Sequence, residues 1–366
     1  MINHELPYKI GISLIPGIGD VLAKNLIAYC GGAEAVFKEK RQNLLKIPGI
    51  GTITADSVKK QNVLKRAEEE IKFISKHKIT TLFFTDEDYP KRLKHCSDSP
   101  VMLYYKGNAD LNNTKVLSIV GTRSATQYGK NICEKLMTDL ADKNVLIVSG
   151  LAYGIDICAH RAALENNLPT VGVLAHGLDT IYPGAHEASA RRMMEHGGLL
   201  TEFLSKTKPD KENFPKRNRI VAGMADATIV IESKKDGGSL ITADIANSYH
   251  RDVFAFPGRI DDVCSEGCNN FIKQNKAAMA QSAKDILYIM GWEEQQKKKN
   301  EQPKLFVELS AEEETIVNVL KEKGTVNIDD LCFVSQMAMS KVSSLLLTLE
   351  FSSVVKSLPG KMYCLN

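Results

Sequence analysis

The chain has 366 residues, enough for a large core and more than one domain. It is 43% hydrophobic and 25% charged, with a formal net charge of +3. This excludes a disordered polyelectrolyte and a globally basic protein, so any nucleic-acid footprint must be local.

Residues 1–75 read as helical and carry a repeat. Ile15-Pro-Gly-Ile-Gly19 recurs as Ile47-Pro-Gly-Ile-Gly51, and Ala23 and Ala55 follow at the same offset. A tight Pro-Gly-x-Gly turn between apolar helical faces is a helix-hairpin-helix pattern whose glycines leave amides free at the next helix start. Such hairpins hold a nucleic-acid phosphate in some proteins and only staple a helical domain in others. The repeat leaves both roles open.

Thr81-Leu-Phe-Phe84, Asp88-Tyr-Pro90 and Val101–Gly107 then read as strand, turn and strand. An α/β domain over 76–292 follows from five apolar runs: Val116–Val120, Val145–Val148, Thr170–Leu174, Ala227–Ile231 and Val253–Phe256, with Leu199–Phe203 as a further short strand. Helical patterns between most of them imply βαβ crossovers and a parallel, Rossmann-like sheet. The polar stretch 293–305 reads as a linker. In 306–366, helical patterns at Glu312–Lys323, Ile328–Leu331 and Met339–Phe351 precede a hairpin-like end, the layout of a winged helix.

The eight cysteines, at 30, 96, 133, 158, 264, 268, 332 and 364, are scattered. Cys264 and Cys268 form the one close pair and lack partners at metal spacing, so no metal and a reduced protein are expected. The first seven residues lack a signal peptide's basic and apolar regions, and no apolar run approaches the roughly 18 residues of a membrane span. A cytoplasmic protein without a membrane partner is expected.

The chemistry concentrates where strands meet glycine-rich loops: Gly121-Thr-Arg123, Ser149-Gly150 and Gly237-Gly-Ser239. In parallel sheets ligands bind at the carboxyl ends of strands, and glycine lets backbone amides approach an anion. The stretch Lys206–Arg219 adds six basic residues against two acids, with Phe214 in its middle. A cationic groove with an aromatic platform suits a single strand. Gly129-Lys130-Asn131 imitates the end of a Walker loop, but Ser124 and Asn131 break that motif. Asp156 and His160, four apart, share a helical face as an acid/base pair or as a cap and a packed histidine, the structural reading being favoured. Gly237–Asp244 resembles the loop of nucleotide phosphoribohydrolases, with Asp244 at the carboxylate position but Leu240 and Ile241 where a phosphate cradle needs Gly and Thr.

Together, Ile119–Arg123, Ser149–Asp156 with His160, Gly177-Leu-Asp179 with Tyr182-Pro183, Phe214-Pro-Lys-Arg-Asn-Arg219, Gly238–Ala243 and Phe256-Pro-Gly258 resemble the DprA (Smf) family of bacterial DNA-processing proteins. The resemblance implies an extended Rossmann-like fold, single-stranded DNA as ligand, no catalytic residues and no cofactor. It also implies a homodimer that hands the DNA to RecA recombinase during natural transformation. Carried over by position, Gly121, Arg123, Lys211, Phe214, Arg217, Asn218 and Arg219 would line the DNA pocket, and Ser149, Gly150, Gly238 and Ser239 would contact phosphate. Gly237 stands where the family often has serine, and Asn275-Lys276 where it often has Gly-Ala. The alternative is a nucleotide-binding Rossmann-like hydrolase using the Gly237–Asp244 loop.

Overall fold

The computed structural model describes residues 4–293 and 309–366. The linker expected over 293–305 lies, Glu293 apart, outside the described residues. The rest divides into two compact units, Met1–Tyr249 with Val253–Ala283, and His250–Asp252 with Lys284–Asn366.

The first unit opens with six helices, α1 (Leu6–Ile12), α2 (Asp20–Cys30), α3 (Ala33–Lys38), α4 (Arg41–Leu44), α5 (Thr52–Lys60) and α6 (Leu64–His77). The two Pro-Gly-Ile-Gly repeats are the turns that launch α2 and α5. Gly17 (φ +79°) and Gly49 (φ +82°) take the left-handed conformation, and Gly19 and Gly51 cap the two helices. The apolar residues of this layer, among them Ile10, Ile15, Leu26, Ile47 and Ile50, bury against Phe83, Val101, Met102 and Tyr104. The helical front is therefore a layer on the sheet's edge, sharing one core with it.

The sheet has nine strands. They are β1 (Thr80–Phe83), β2 (Met102–Gly107), β3 (Val116–Val120), β4 (Leu146–Ser149), β5 (Thr170–Val173), β6 (Gly197–Thr201), β7 (Ala227–Val230), β8 (Asp252–Ala255) and β9 (Ala278–Met279). Their order is β1-β2-β6-β5-β4-β3-β7-β8-β9. β6, β5, β4, β3 and β7 run parallel, as do β8 and β9. These form the parallel sheet expected, and the two strands read ahead of it join its edge antiparallel: β1 pairs with β2, and β2 with β6. The short α7 (Lys91–Lys94) between β1 and β2 cannot cover a sheet face as a crossover does.

The intervening helices are α8 (Gln127–Leu140), α9 (Ile155–Glu165), α10 (Glu187–Glu195), α11 (Asn213–Met224), α12 (Gly238–Ser248) and α13 (Glu266–Lys273); α14 (Ala283–Ile289) follows β9 and, Ala283 apart, belongs to the second unit. β3, β4 and β5 are almost wholly buried apolar runs, as strands covered on both faces must be. The chain steps from β3 outward through β4, β5 and β6, then returns to place β7 on the other side of β3. The strand order reverses between β3 and β7, which opens a crevice at their carboxyl ends.

The tail is a winged helix, with α15 (Ala311–Lys323), β10 (Val326–Asn327), α16 (Ile328–Ser335), α17 (Met339–Phe351), β11 (Val355–Leu358) and β12 (Met362–Leu365). Ser310 and Glu313 form a capping box on α15, and Asn327 caps α16. Ile316, Leu320, Leu331, Val342, Leu346 and Leu349 fill its core. Among the described residues no single helix is long and apolar enough to cross a membrane; the bent pair α16 and α17 passes that test jointly by length and composition, and its Ile328, Leu331, Val342, Leu346 and Leu349 pack in this core.

Candidate nucleic-acid interface

The turn after β3 is held from two sides. Thr122 N donates to Glu232 O at 2.8 Å, and the buried Glu232 carboxylate accepts from Thr126 N at 3.0 Å and from the Thr126 hydroxyl. Thr126 in turn caps α8 by accepting from Gly129 N at 3.3 Å. On the other side, Ile155 N donates to Thr122 O at 3.1 Å. Gly154 (φ +81°) makes that approach possible, because a Cβ there would overlap Thr122 O. The Gly121–Arg123 loop is thereby locked to the start of α9.

The turn after β4 meets α11. A Cβ on Gly150 would overlap both the Arg217 guanidinium and Asp156 Oδ2, so glycine leaves the space in which those two groups face each other. Arg217 is 6% exposed and donates from Nη1 to Val173 O and from Nε to Asn218 Oδ1 at 3.2 Å. Burial lowers the Arg217 pKa and raises that of Asp156, and each charge opposes the other's shift. Asp156 Oδ2 also accepts from Ala152 N at 3.4 Å.

His160 lies beneath this turn. Its Nε2 contacts Gly150 O at 2.5 Å, so Nε2 carries the proton, and Nδ1 accepts from the Thr170 hydroxyl at 2.7 Å. Burial pushes its pKa down to about 4, and the ring is neutral at pH 7. His160 is a support for the loop, the packing role favoured from sequence, and both of its nitrogens are committed.

Phe214 stands at the start of α11 with the Arg123 guanidinium 5.4 Å from its ring centre and the Tyr182 ring 6.4 Å away. Arg123, Phe214, Arg217 and Tyr182 line both a small inner pocket and a much larger outer cleft, open to solvent. The inner pocket adds Tyr153 and His176, and Arg217 lies between the two spaces. The cleft continues past Gly121, Gly150, Lys211 and Asn218 to Gly238 and Ser239 at the start of α12. Gly238 has open space where its Cβ would be, whereas Ser239 turns its hydroxyl toward Ser233 Oγ at 2.9 Å.

Two sequence candidates do not face the cleft. Ser149 is fully buried, and its hydroxyl donates to Ile119 O at 2.5 Å, inside the sheet. Arg219 points away from the cleft, where it pairs with Asp20 at 3.1 Å and with Glu202, and donates to Asp98 O. Of the Lys206–Arg219 cluster, Lys206 pairs with Glu69 at 3.5 Å, and only Lys211 and Arg217 among its basic residues line the cleft. The cluster's excess of charge overstated what one face would receive.

Lys234 and Lys235, which the sequence reading passed over, also line the cleft, as do Thr122, Pro209 and Thr242. Their signal was a pair of lysines in the loop between β7 and Gly237-Gly238. Five basic side chains thus meet three carboxylates, one of which, Asp156, is buried opposite Arg217. Asp244, the carboxylate of the hydrolase alternative, lies outside the cleft and pairs with Lys276 at 3.0 Å. Among the described residues no three His, Cys, Asp or Glu side chains form a metal-holding group. Cys268 is buried with its thiol on Val230 O.

The profile of the DNA recombination-mediator protein A family matches residues 80–291, and that of the DprA winged helix domain matches 300–361. Protein Smf of Synechocystis is 34% identical over 298 residues, 80% of this chain and 74% of that protein. DNA processing protein DprA of Streptococcus pneumoniae is 40% identical over 214 residues, 57% of this chain and 74% of that protein. The X-ray structure of DprA from Streptococcus pneumoniae aligns at a TM-score of 0.67 with 32% identity, covering 77% of this chain and 97% of that one. DNA processing protein A from Helicobacter pylori, whose structure addresses its single-stranded DNA binding mode, aligns at 0.53 with 29% identity over 58% of this chain and 94% of that one. With the sheet domain and the winged helix both matched, the chain belongs to the DNA recombination-mediator protein A family, the DprA (Smf) proteins.

Proposed function

We propose that this protein binds single-stranded DNA along the β3/β7 cleft and, acting as a homodimer, delivers it to RecA recombinase during natural transformation. The supporting observation is the convergence of Arg123, Arg217 and Phe214 on glycine-lined backbone at the strand-order reversal. Arginine forks and open backbone at Gly238 suit phosphate oxygens. The Phe214 and Tyr182 rings beside the inner pocket suit stacked bases, which a duplex does not expose. The Helicobacter pylori relative, whose single-stranded DNA binding mode was determined, supports the choice of strand. The recombinase step is supported by family membership.

Binding is tested by fluorescence anisotropy of labelled oligo-dT and a matched duplex, with preference for the single strand expected. Delivery is tested by the DNA-dependent ATPase of RecA on strands coated with single-strand-binding protein. The protein should shorten the lag, and a variant lacking the Arg123 side chain should not. An unchanged lag with wild-type protein would remove the RecA step and leave the binding step standing. The hydrolase reading requires Asp244 at the cleft, and its pairing with Lys276 speaks against it.

A further inference from the structure

The segment 202–219 runs from the end of β6 to the middle of α11 and carries Lys211, Phe214 and Arg217. Its first eleven residues, 202–212, form no helix or strand. A loop of that length, which carries Lys211 and leads into the helix bearing Phe214 and Arg217, needs something to fix its course.

The helical layer fixes it at both ends. Near the start, Ser205 N donates to Glu70 Oε1 at 2.9 Å and its hydroxyl to Glu70 Oε2 at 2.5 Å. Arg66, one turn earlier on α6, donates to Ser205 O at 2.6 Å and pairs with Glu70 at 2.8 Å. Glu70 is 2% exposed, a buried carboxylate whose oxygens are all spent on this loop and on Arg66. At the far end, Arg219 pairs with Asp20, the first residue of α2, and Asp20 Oδ1 also accepts from Val101 N at 2.9 Å. Neither Glu70 nor Asp20 lines the cleft.

We propose that the helical layer is a positioning clamp for the strand-binding segment, with Glu70 and Asp20 as its two jaws, so that single-strand affinity depends on carboxylates that never touch the strand. This rests on the proposed single-strand function. A segment ordered in advance loses less conformational freedom on binding, and a clamp that opens lowers the fraction of molecules ready to bind. The number of phosphates contacted does not change. The salt dependence of binding counts those contacts, so it separates a positioning residue from a contacting one.

The experiment uses the full chain carrying Glu70→Gln or Asp20→Asn, with oligo-dT anisotropy across a salt series and amide hydrogen exchange of the free protein. Affinity should fall about tenfold, within the range of coupling from residues outside a site, with an unchanged slope of log K against log salt. Exchange should accelerate over 203–213. Unchanged affinity in both variants, or a reduced slope, overturns the clamp. Should both variants fail to fold, Ser205→Ala removes the hydroxyl's bonds to Glu70 and Arg66 and leaves the Ser205 backbone contacts to both, and the same two readouts apply to it. If the wild type itself does not bind oligo-dT, the single-strand function fails. Exchange in Glu70→Gln then still decides whether the layer orders the segment, with unaltered exchange over 203–213 counting against the clamp.

Discussion

Arg217 and Arg219 stand two residues apart on α11 and face opposite ways. Arg217 reaches toward Asp156 at the cleft, and Arg219 enters a network with Asp20, Glu202 and Asp98 behind it. About 200° of rotation separates positions i and i+2 on a helix, so two arginines in one motif have two different roles. Arg219→Ala strands the 13%-exposed Glu202 carboxyl and is expected to destabilise the fold by about 3–5 kcal/mol. Arg123→Ala, at the open cleft, should change stability by no more than about 0.5 kcal/mol while weakening strand binding. Urea denaturation of the two variants checks the contrast.

Phe214→Ala should weaken single-strand binding by roughly 1–3 kcal/mol, the worth of one stacked base. Phe214→Trp should retain most of the affinity. Anisotropy with oligo-dT reads both, and an alanine variant of wild-type affinity would make the ring a partner of Arg123 alone.

Gly150 and Gly154 should respond differently to alanine. At Gly154 the left-handed backbone and the overlap with Thr122 O predict a loss of at least about 2 kcal/mol in unfolding free energy. At Gly150 the new methyl group meets the end of the Arg217 side chain and the Asp156 carboxylate. Gly150→Ala should therefore displace Arg217 and reduce strand affinity more than stability, whose loss should be about 1–3 kcal/mol. Parallel melts and binding curves separate the two.

Two buried groups give opposite pH slopes. Glu202, pushed up to about 7 from its usual 4.5 chiefly by burial, adds stability that is full below pH 4.5 and is lost as pH rises to about 7. His160, pushed down to about 4 from 6.5 by burial, adds stability that is full above pH 6.5 and is lost as pH falls toward 4. Glu202→Gln should remove a decline on the order of 3 kcal/mol between pH 4.5 and 7, which urea midpoints across that range would show. The same decline in wild type and variant would assign the slope to other groups.

Much of this architecture was readable in the chain, for local reasons. Val116–Val120 is a strand in the structure as in the reading, and Met339–Phe351 is a helix over the same bounds. In both, the apolar period and the turn residues point to the same element. Gly121, Arg123, Gly150, Lys211, Phe214, Arg217, Asn218, Gly238 and Ser239 do gather at one cleft: most lie just past a strand end or at a helix start, while Lys211 comes from the loop before α11 and Arg217 and Asn218 from its second turn. What failed was direction. Nothing in Arg217-Asn-Arg219 says which arginine meets the cleft, since that depends on Asp20, nearly two hundred residues away. Ser149 closes a strand, and alternation alone does not say that its hydroxyl would turn inward to Ile119. The antiparallel β1 and β2 depend on which sheet edge the chain enters, which no local pattern encodes.

The central claim is that the β3/β7 cleft is the single-strand site, and the most direct measurement is the affinity for labelled oligo-dT from low to moderate salt, for wild type and Arg123→Ala/Lys211→Ala. The account predicts tight binding to the single strand over a matched duplex, a steep salt slope, and a slope shallower by about 1.4 in the double variant, near 0.7 for each lost phosphate contact. Equal affinity and equal slope in the two proteins would contradict it and move the strand to another surface.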